Sequence, residues 1–331
     1  MSGTHAGPGV ALIGCGGVGF KRSQSLDGAR LLVCADLDLA RAERAAAAHA
    51  ARATSDWHAA ATNRDVQVVI VATTNDQLCP IALEAVRAGK HVLVEKPAAR
   101  RAAELAPLAE AARKTGVRVR VGFNHRYHPA LLKAAELVRS GALGELMFLR
   151  GRYGHGGRPG YDREWRADPA KAGGGELIDQ GVHLIDLARL FLGEFEQIDG
   201  YAPTYFWDMA VDDNAFLLLR TKGGQAAFLH VSCTEWKNLF SLELYGKKGK
   251  LQVDGLGGSY GVERLAHYAM RPEMGPPETT IWEYPMADRS WAVEFSTFLE
   301  DIRLGREPDA GLESARRALE IVEAVYARNV R

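Results

Sequence analysis

Val10-Ala11-Leu12-Ile13-Gly14-Cys15-Gly16-Gly17-Val18-Gly19 is a short apolar run that closes on Gly-x-Gly-x-x-Gly. Four apolar residues, two of them β-branched, read as a strand buried on both faces. Gly14 permits the tight turn that follows. Gly16 lets backbone approach a pyrophosphate, and Gly19 lets the next helix pack on the strand, its N-terminus facing the phosphate charge. Such a fingerprint is weak by itself. Here it has a strand before it, a helix after it, and an acid, Asp36, at the end of the second strand. Asp36 is placed to accept hydrogen bonds from an adenosine ribose, and its charge opposes a 2′-phosphate, which favours NAD over NADP. Two other readings stand beside this one: Asp36 caps the next helix, or Asp38 is the functional acid.

Working outward, residues 10–13, 31–35, 68–72, 91–94 and 118–121 are short apolar runs with the look of parallel strands. Between them 39–51, 80–88 and 101–115 are Ala-rich and helical, the last two stopped by Gly89 and Gly116. That alternation predicts a Rossmann domain, a doubly wound parallel sheet, over residues 1–123. Thr73, Thr74 and Asn75 follow the third of these strands, where open α/β sheets bind ligands, and are expected to touch the cofactor. Past Phe123 the pattern changes. A helix at 129–140, a strand at 144–153, a Gly-rich loop at 154–175 and an apolar helix at 176–192 lead into strands that alternate, as Phe240, Leu242 and Leu244 do with Ser241, Glu243 and Tyr245. Helices at 291–303 and 312–327 close the chain. Residues 124–331 are therefore expected to form a substrate-binding α+β domain with a large, mainly antiparallel open sheet, whose apolar exposure would drive homo-oligomerisation.

At 331 residues the chain is long enough for two cores. Lys+Arg and Asp+Glu number 41 each, with no basic block, so neither nucleic acid nor an anionic membrane is an expected partner. No apolar stretch approaches a membrane span. Residues 1–9 read as a short disordered tail rather than a signal. The four cysteines are widely spaced, without metal-ligand spacing, as in a reducing cytoplasm, and no metal is expected.

Two further stretches carry chemistry. The strand at 91–94 runs into Glu95-Lys96-Pro97. An ammonium at the carboxyl end of a parallel strand can stabilise an alkoxide forming there, although a surface lysine ending a strand is the plain alternative. Gly173-Gly174-Gly175-Glu176-Leu177-Ile178-Asp179-Gln180-Gly181-Val182-His183-Leu184-Ile185-Asp186 sets Asp179 and His183 four apart on one face of an apolar helix. A buried acid and imidazole are costly unless paired or lining a cleft. Either His183 is a satisfied core histidine with Asp179 as partner, or it is a general base and Asp179 orients it or the substrate.

The glycine fingerprint, Ala-Gly-Lys-His-Val-Leu-Val-Glu-Lys-Pro at 88–97 and the 173–186 run together resemble the Gfo/Idh/MocA oxidoreductases over nearly the whole chain. The resemblance implies that Lys96, Asp179 and His183 are the catalytic set. It implies too that Glu95, Asn124 and Arg126 lie near the nicotinamide half of NAD, Arg126 also bordering substrate, and that Trp165 and Arg166 reach cofactor or substrate. One departure is Leu78, where the family commonly has histidine. Tyr153, His155, Arg158 and Trp236 are candidate substrate contacts. The expected reaction is hydride transfer at a secondary alcohol of a sugar, cyclitol or sugar-derived, even nucleotide-linked, substrate. Transient oxidation with retained NAD and a catalytically silent ligand sensor are the competing readings.

Overall fold

The computed structural model describes residues 7–328. Most of the expected N-terminal tail thus lies outside the described residues, and Gly9 already opens the first strand. The chain divides into two compact units. One runs to Phe123 and takes in Trp291–Arg317, and the other is Asn124–Ser290 with the chain from Ala318 on.

The first unit alternates strand and helix: β1 (Gly9–Ile13), α1 (Gly17–Ser23), β2 (Arg30–Ala35), α2 (Leu39–Ala47), β3 (Arg52–Thr54), α3 (Trp57–Ala61), β4 (Val68–Val71), α4 (Asn75–Arg87), β5 (His91–Glu95), α5 (Leu105–Thr115) and β6 (Val119–Gly122). The sheet order is β3-β2-β1-β4-β5-β6, every pair parallel. This is the doubly wound order with its reversal between β1 and β4. Every residue of β1 and β4 is buried, which is why those strands are apolar without alternation. The elements β3 and α3 are short and carry no periodic signal, and the sequence reading passes over them. Helix α4 begins five residues earlier than expected and runs through Pro80.

The second unit contributes α6 (Pro129–Arg139), β7 (Leu146–Gly154), α7 (Pro169–Ala172), α8 (Val182–Leu192), β8 (Phe195–Tyr201), β9 (Asn214–Thr221), β10 (Ala226–Ser232), β11 (Leu239–Gly246), β12 (Gly249–Asp254), β13 (Glu263–Ala269) and β14 (Glu278–Tyr284). Its sheet has eight strands in the order β14-β13-β12-β11-β7-β10-β9-β8, antiparallel except where β7 runs parallel to β10. Helix α8 packs on this sheet at Gly151, where any side chain would crowd Leu184. That contact seats the expected apolar helix, and Leu184, Ile185 and Leu187 are fully buried.

Two helices end the chain, α9 (Ser290–Leu304) and α10 (Leu312–Arg328). The expected second domain ran unbroken over 124–331, but residues 291–317 segregate with the first unit. The reason is apolar: Phe295 and Phe298 join the core of Val10, Leu12, Leu31, Val68, Ile70 and Leu93. Buried Arg120 of β6 fixes the contact by donating to Asp301 of α9 at 2.5 Å. No helix among the described residues is long and apolar enough to cross a membrane.

Candidate functional site

The glycine loop is built on close approaches. Gly14 has φ +89°, and a Cβ there would stand 2.4 Å from the Ala72 carbonyl oxygen, so only glycine fits. A Cβ on Gly19 would stand 1.9 Å from the Gly14 oxygen, which is the helix-on-strand contact read from the sequence. Nothing lies within 4 Å of where side chains on Gly16 and Gly17 would project. The loop thus presents bare backbone to open space, which suits a pyrophosphate. Cys15 and Val18 fill the positions between, and the Cys15 side chain is buried. A hydrogen bond with Cys34, together with burial, pushes the Cys15 thiol far above its ordinary range, so it stays protonated and inert.

Asp36 and Asp38 separate cleanly. One Asp36 oxygen accepts the Cys15 backbone N–H at 2.7 Å and the other accepts the Asp38 N–H at 2.9 Å. Asp38 instead caps α2, accepting from the Ala40 N–H at 3.1 Å. Asp36 therefore braces the glycine loop from just past the end of β2, half-buried. Beyond β4, Thr74 occupies the N-cap position of α4, but its hydroxyl donates to Asp76 at 2.6 Å; Thr73 is half-buried and Asn75 buried. Leu78, where the resemblance looks for histidine, is fully buried and adds apolar volume to the core.

Lys96 is half-buried at the end of β5, and the Lys96–Pro97 bond is cis. Glu95 beside it is buried and accepts from the Arg22 Nε at 2.6 Å, while Arg22 reaches Glu294 of α9 at 2.6 Å. The Trp291 ring lies 4.4 Å from the same guanidinium. Burial pushes the Glu294 carboxyl up, against the pull of Arg22. Sequence reading missed Arg22 and Glu294. A charge on the first helix after the fingerprint, at a position facing the sheet, was the available signal.

In the second unit Asp179 and His183 come together on one helical stretch, but its form differs from expectation. Leu177–Gly181 is a π-turn that runs into α8, where a continuous α-helix was read. Single π-turns inside helices recur at functional sites. Asp179 and His183 are 8% and 5% exposed, and Asp179 accepts from Arg166 at 3.0 Å. The Arg166 guanidinium lies 4.5 Å from the Trp165 ring. His125 stacks on His183, with ring centroids 3.8 Å apart and planes 15° from parallel. Buried Tyr153 stands edge-on to both imidazoles and near Tyr260. His125 was not picked from the sequence, although it sits between two residues that were.

The remaining candidates divide. Arg126 grips Asp186 with two bonds of 2.7 and 2.6 Å, so the Asp186 carboxylate is structural. Asn124 donates to Ser290 at 2.9 Å. His155 lies 3.5 Å from Glu176, which also accepts the Tyr161 hydroxyl at 2.6 Å. Burial disfavours the His155 imidazolium, but Glu176 outweighs it and raises the imidazole above its usual value. Arg158 is exposed and paired with Glu164 at 2.6 Å. Trp236 is exposed on the loop after β10. Among the described residues no group of three His, Cys, Asp or Glu is arranged to hold a metal.

A doubly wound sheet with its glycine loop open and an acid at the end of β2 defines the NAD-binding Rossmann class. Residues 9–123 match the family model described as "Oxidoreductase family, NAD-binding Rossmann fold", and residues 131–252 match the "GFO/IDH/MocA C-terminal domain". Inositol 2-dehydrogenase of Salmonella typhimurium is 30% identical over 313 residues, 90% of this chain and 87% of that one. Levoglucosan dehydrogenase of Pseudarthrobacter phenanthrenivorans is 33% identical over 196 residues, 56% of this chain; the chain spans only 50% of that relative's length. A levoglucosan dehydrogenase solved in complex with NADH and levoglucosan superimposes with a TM-score of 0.87 at 23% identity, over 97% of this chain and 96% of that one, which shows a shared fold. The chain belongs to the GFO/IDH/MocA oxidoreductase family.

Proposed function

We propose that this chain is an NAD(H)-dependent dehydrogenase acting at a secondary alcohol or ketone of a sugar, cyclitol or sugar-derived substrate. In this reading the first unit holds NAD and the second holds substrate. The observation that carries it is the buried pair Asp179 and His183 in a π-turn and the helix it starts, with Arg166 on the acid. Burying an acid and an imidazole together without a task is expensive. The names of the relatives, inositol and levoglucosan dehydrogenases, point to the same substrate class.

Gly14, Gly16, Gly17 and Gly19, with Asp36 and the 73–75 loop, are the residues that hold the dinucleotide, and bound NAD supplies the hydride acceptor. His183 takes the hydroxyl proton at an imidazole nitrogen. The Lys96 ammonium stabilises the alkoxide as it forms. Asp179, fixed by Arg166, orients substrate or imidazole. Glu95, pinned by Arg22, sets the strand end from which Lys96 projects. Asn124, Arg126, Trp165, Tyr153 and His155 are supporting contacts. The test is a polyol and sugar panel followed by NADH absorbance, with Lys96→Ala alongside. That variant is expected to bind NADH normally and to lose about a thousandfold or more in kcat. Normal turnover in the variant would overturn the assignment.

Self-association belongs to the same reading. Tyr201, Leu218 and Phe228 are 47, 44 and 49% exposed on neighbouring strands of the eight-stranded sheet, a face suited to a second copy. A dimer or tetramer in the cytoplasm is the expected state, and light scattering that shows a strict monomer would contradict it.

A further inference from the structure

We propose that Phe206 and Trp236 form a stacking platform for a second, uncharged ring carried by the reacting sugar, so that the substrate is a glycoside and not a free monosaccharide. This deepens the dehydrogenase reading and rests on it. Phe206 and Trp236 are 58 and 65% exposed, and Tyr205 beside them is 65% exposed. The Phe206 and Trp236 rings meet edge to face, centroids 4.7 Å apart at 81°, and Phe206 also meets Trp207 edge-on at 5.2 Å.

The display is built and held. The Asp213 carboxylate accepts three successive backbone N–H groups, from Tyr205 at 2.9 Å, Phe206 at 2.7 Å and Trp207 at 3.0 Å, so the loop before β9 is fixed. Trp236 has φ +55°, a left-handed conformation that a bulky residue adopts at a cost of order 1 kcal/mol or more. A side chain at Gly156 would stand 3.0 Å from the Trp236 Cα, so glycine there makes room for this backbone. Strain retained to expose an indole is a feature of binding sites rather than of packing.

Contacts within the second unit join the platform to the candidate chemistry. The Trp207 indole donates to the Cys233 carbonyl at 3.1 Å, and its ring packs on Tyr161. Tyr161 donates to Glu176, which lies three residues before Asp179. The occupant's chemistry follows from the flanks. In sequence the aromatics are flanked by Asp208, Glu235 and Lys237, and Arg158 is already paired with Glu164, a balance that gives little purchase to a pyrophosphate. Aromatic faces next to hydrogen-bonding groups suit the C–H face of a pyranose or an aryl aglycone.

The test compares p-nitrophenyl glycosides, free hexoses and UDP-sugars in wild type, Phe206→Ala and Trp236→Ala, by NADH formation and by calorimetric binding. The expected result is a wild-type kcat/KM at least about tenfold higher for glycosides than for the parent hexoses. That ratio should fall toward one in both variants, with NADH affinity unchanged. Equal kcat/KM for glycoside and hexose in wild type, a preference for UDP-sugars, or a change of oligomeric state in Trp236→Ala overturns the platform and leaves the dehydrogenase reading in place. Glycoside binding that needs Trp236 without any NADH formation supports the platform and sinks the dehydrogenase reading instead.

Discussion

The imidazole of His125 lies flat against that of His183, centroids 3.8 Å apart and planes 15° from parallel, both rings buried. Such a stack holds the His183 ring in one plane and offers a polarisable face when that ring gains a proton. His125→Ala is expected to lower kcat about tenfold, which is the loss of about 1.4 kcal/mol. His125→Phe, which keeps the stack, should recover most of it. Steady-state kinetics with NADH affinity measured in parallel checks this, and equal loss in both variants would count against stacking as the cause.

Asp36 joins the end of β2 to the glycine loop through the Cys15 N–H. A hydrogen bond to a carboxylate contributes about 1.5–3 kcal/mol. Asp36→Ala should therefore weaken NADH binding at least about tenfold and narrow the preference over NADPH. Fluorescence titration with both nucleotides reads the two effects. An unchanged NADH affinity would assign the cofactor acid elsewhere.

Arg22 is 1% exposed between Glu95 and Glu294. Removing the cation leaves two buried carboxylates facing each other, a change of about 3–5 kcal/mol. Arg22→Met is expected to lower the thermal midpoint sharply, and the double variant Arg22→Met with Glu294→Gln to regain part of it. Calorimetry on the three proteins decides, and a neutral Arg22→Met would show that the triad adds nothing to stability.

Asp212 is buried and accepts from the Tyr326 hydroxyl and from the N–H groups of Gly175 and Leu177. Burial pushes its carboxyl up to about 6 from 3.8, although these donors pull it down. The folded chain therefore binds this proton more tightly than the unfolded one. Its contribution to stability is full below pH 3.8 and is lost as the pH rises through about 6, amounting to about 3 kcal/mol. Asp212→Asn should flatten the stability profile between pH 4 and 6.5, as read from urea midpoints. A profile that keeps its wild-type slope in the variant would remove Asp212 as the cause.

The candidate site was legible in pieces. Gly14 and Gly19 declare their roles because a tight turn and a close approach exclude every side chain there, a constraint local to a few residues. Lys96 and the Asp179–His183 pair stood out because charge is rare beside apolar runs. The π-turn at Leu177–Gly181 was not legible, since a one-residue change of helical winding leaves the apolar pattern unaltered. Phe206 and Trp236 were no clearer as a pair, because their contact spans two loops.

The sequence by itself determined the parallel sheet, its glycine loop and the acid at the end of β2, because strand, turn and helix signals there lie within a few residues of each other. Tertiary structure alone decided that α9 completes the first unit, that β7 runs parallel to β10, and that Arg22 finds Glu294, a partner 272 residues away. Those pairings depend on which apolar faces are left uncovered once the chain collapses, and no window of neighbouring residues records that.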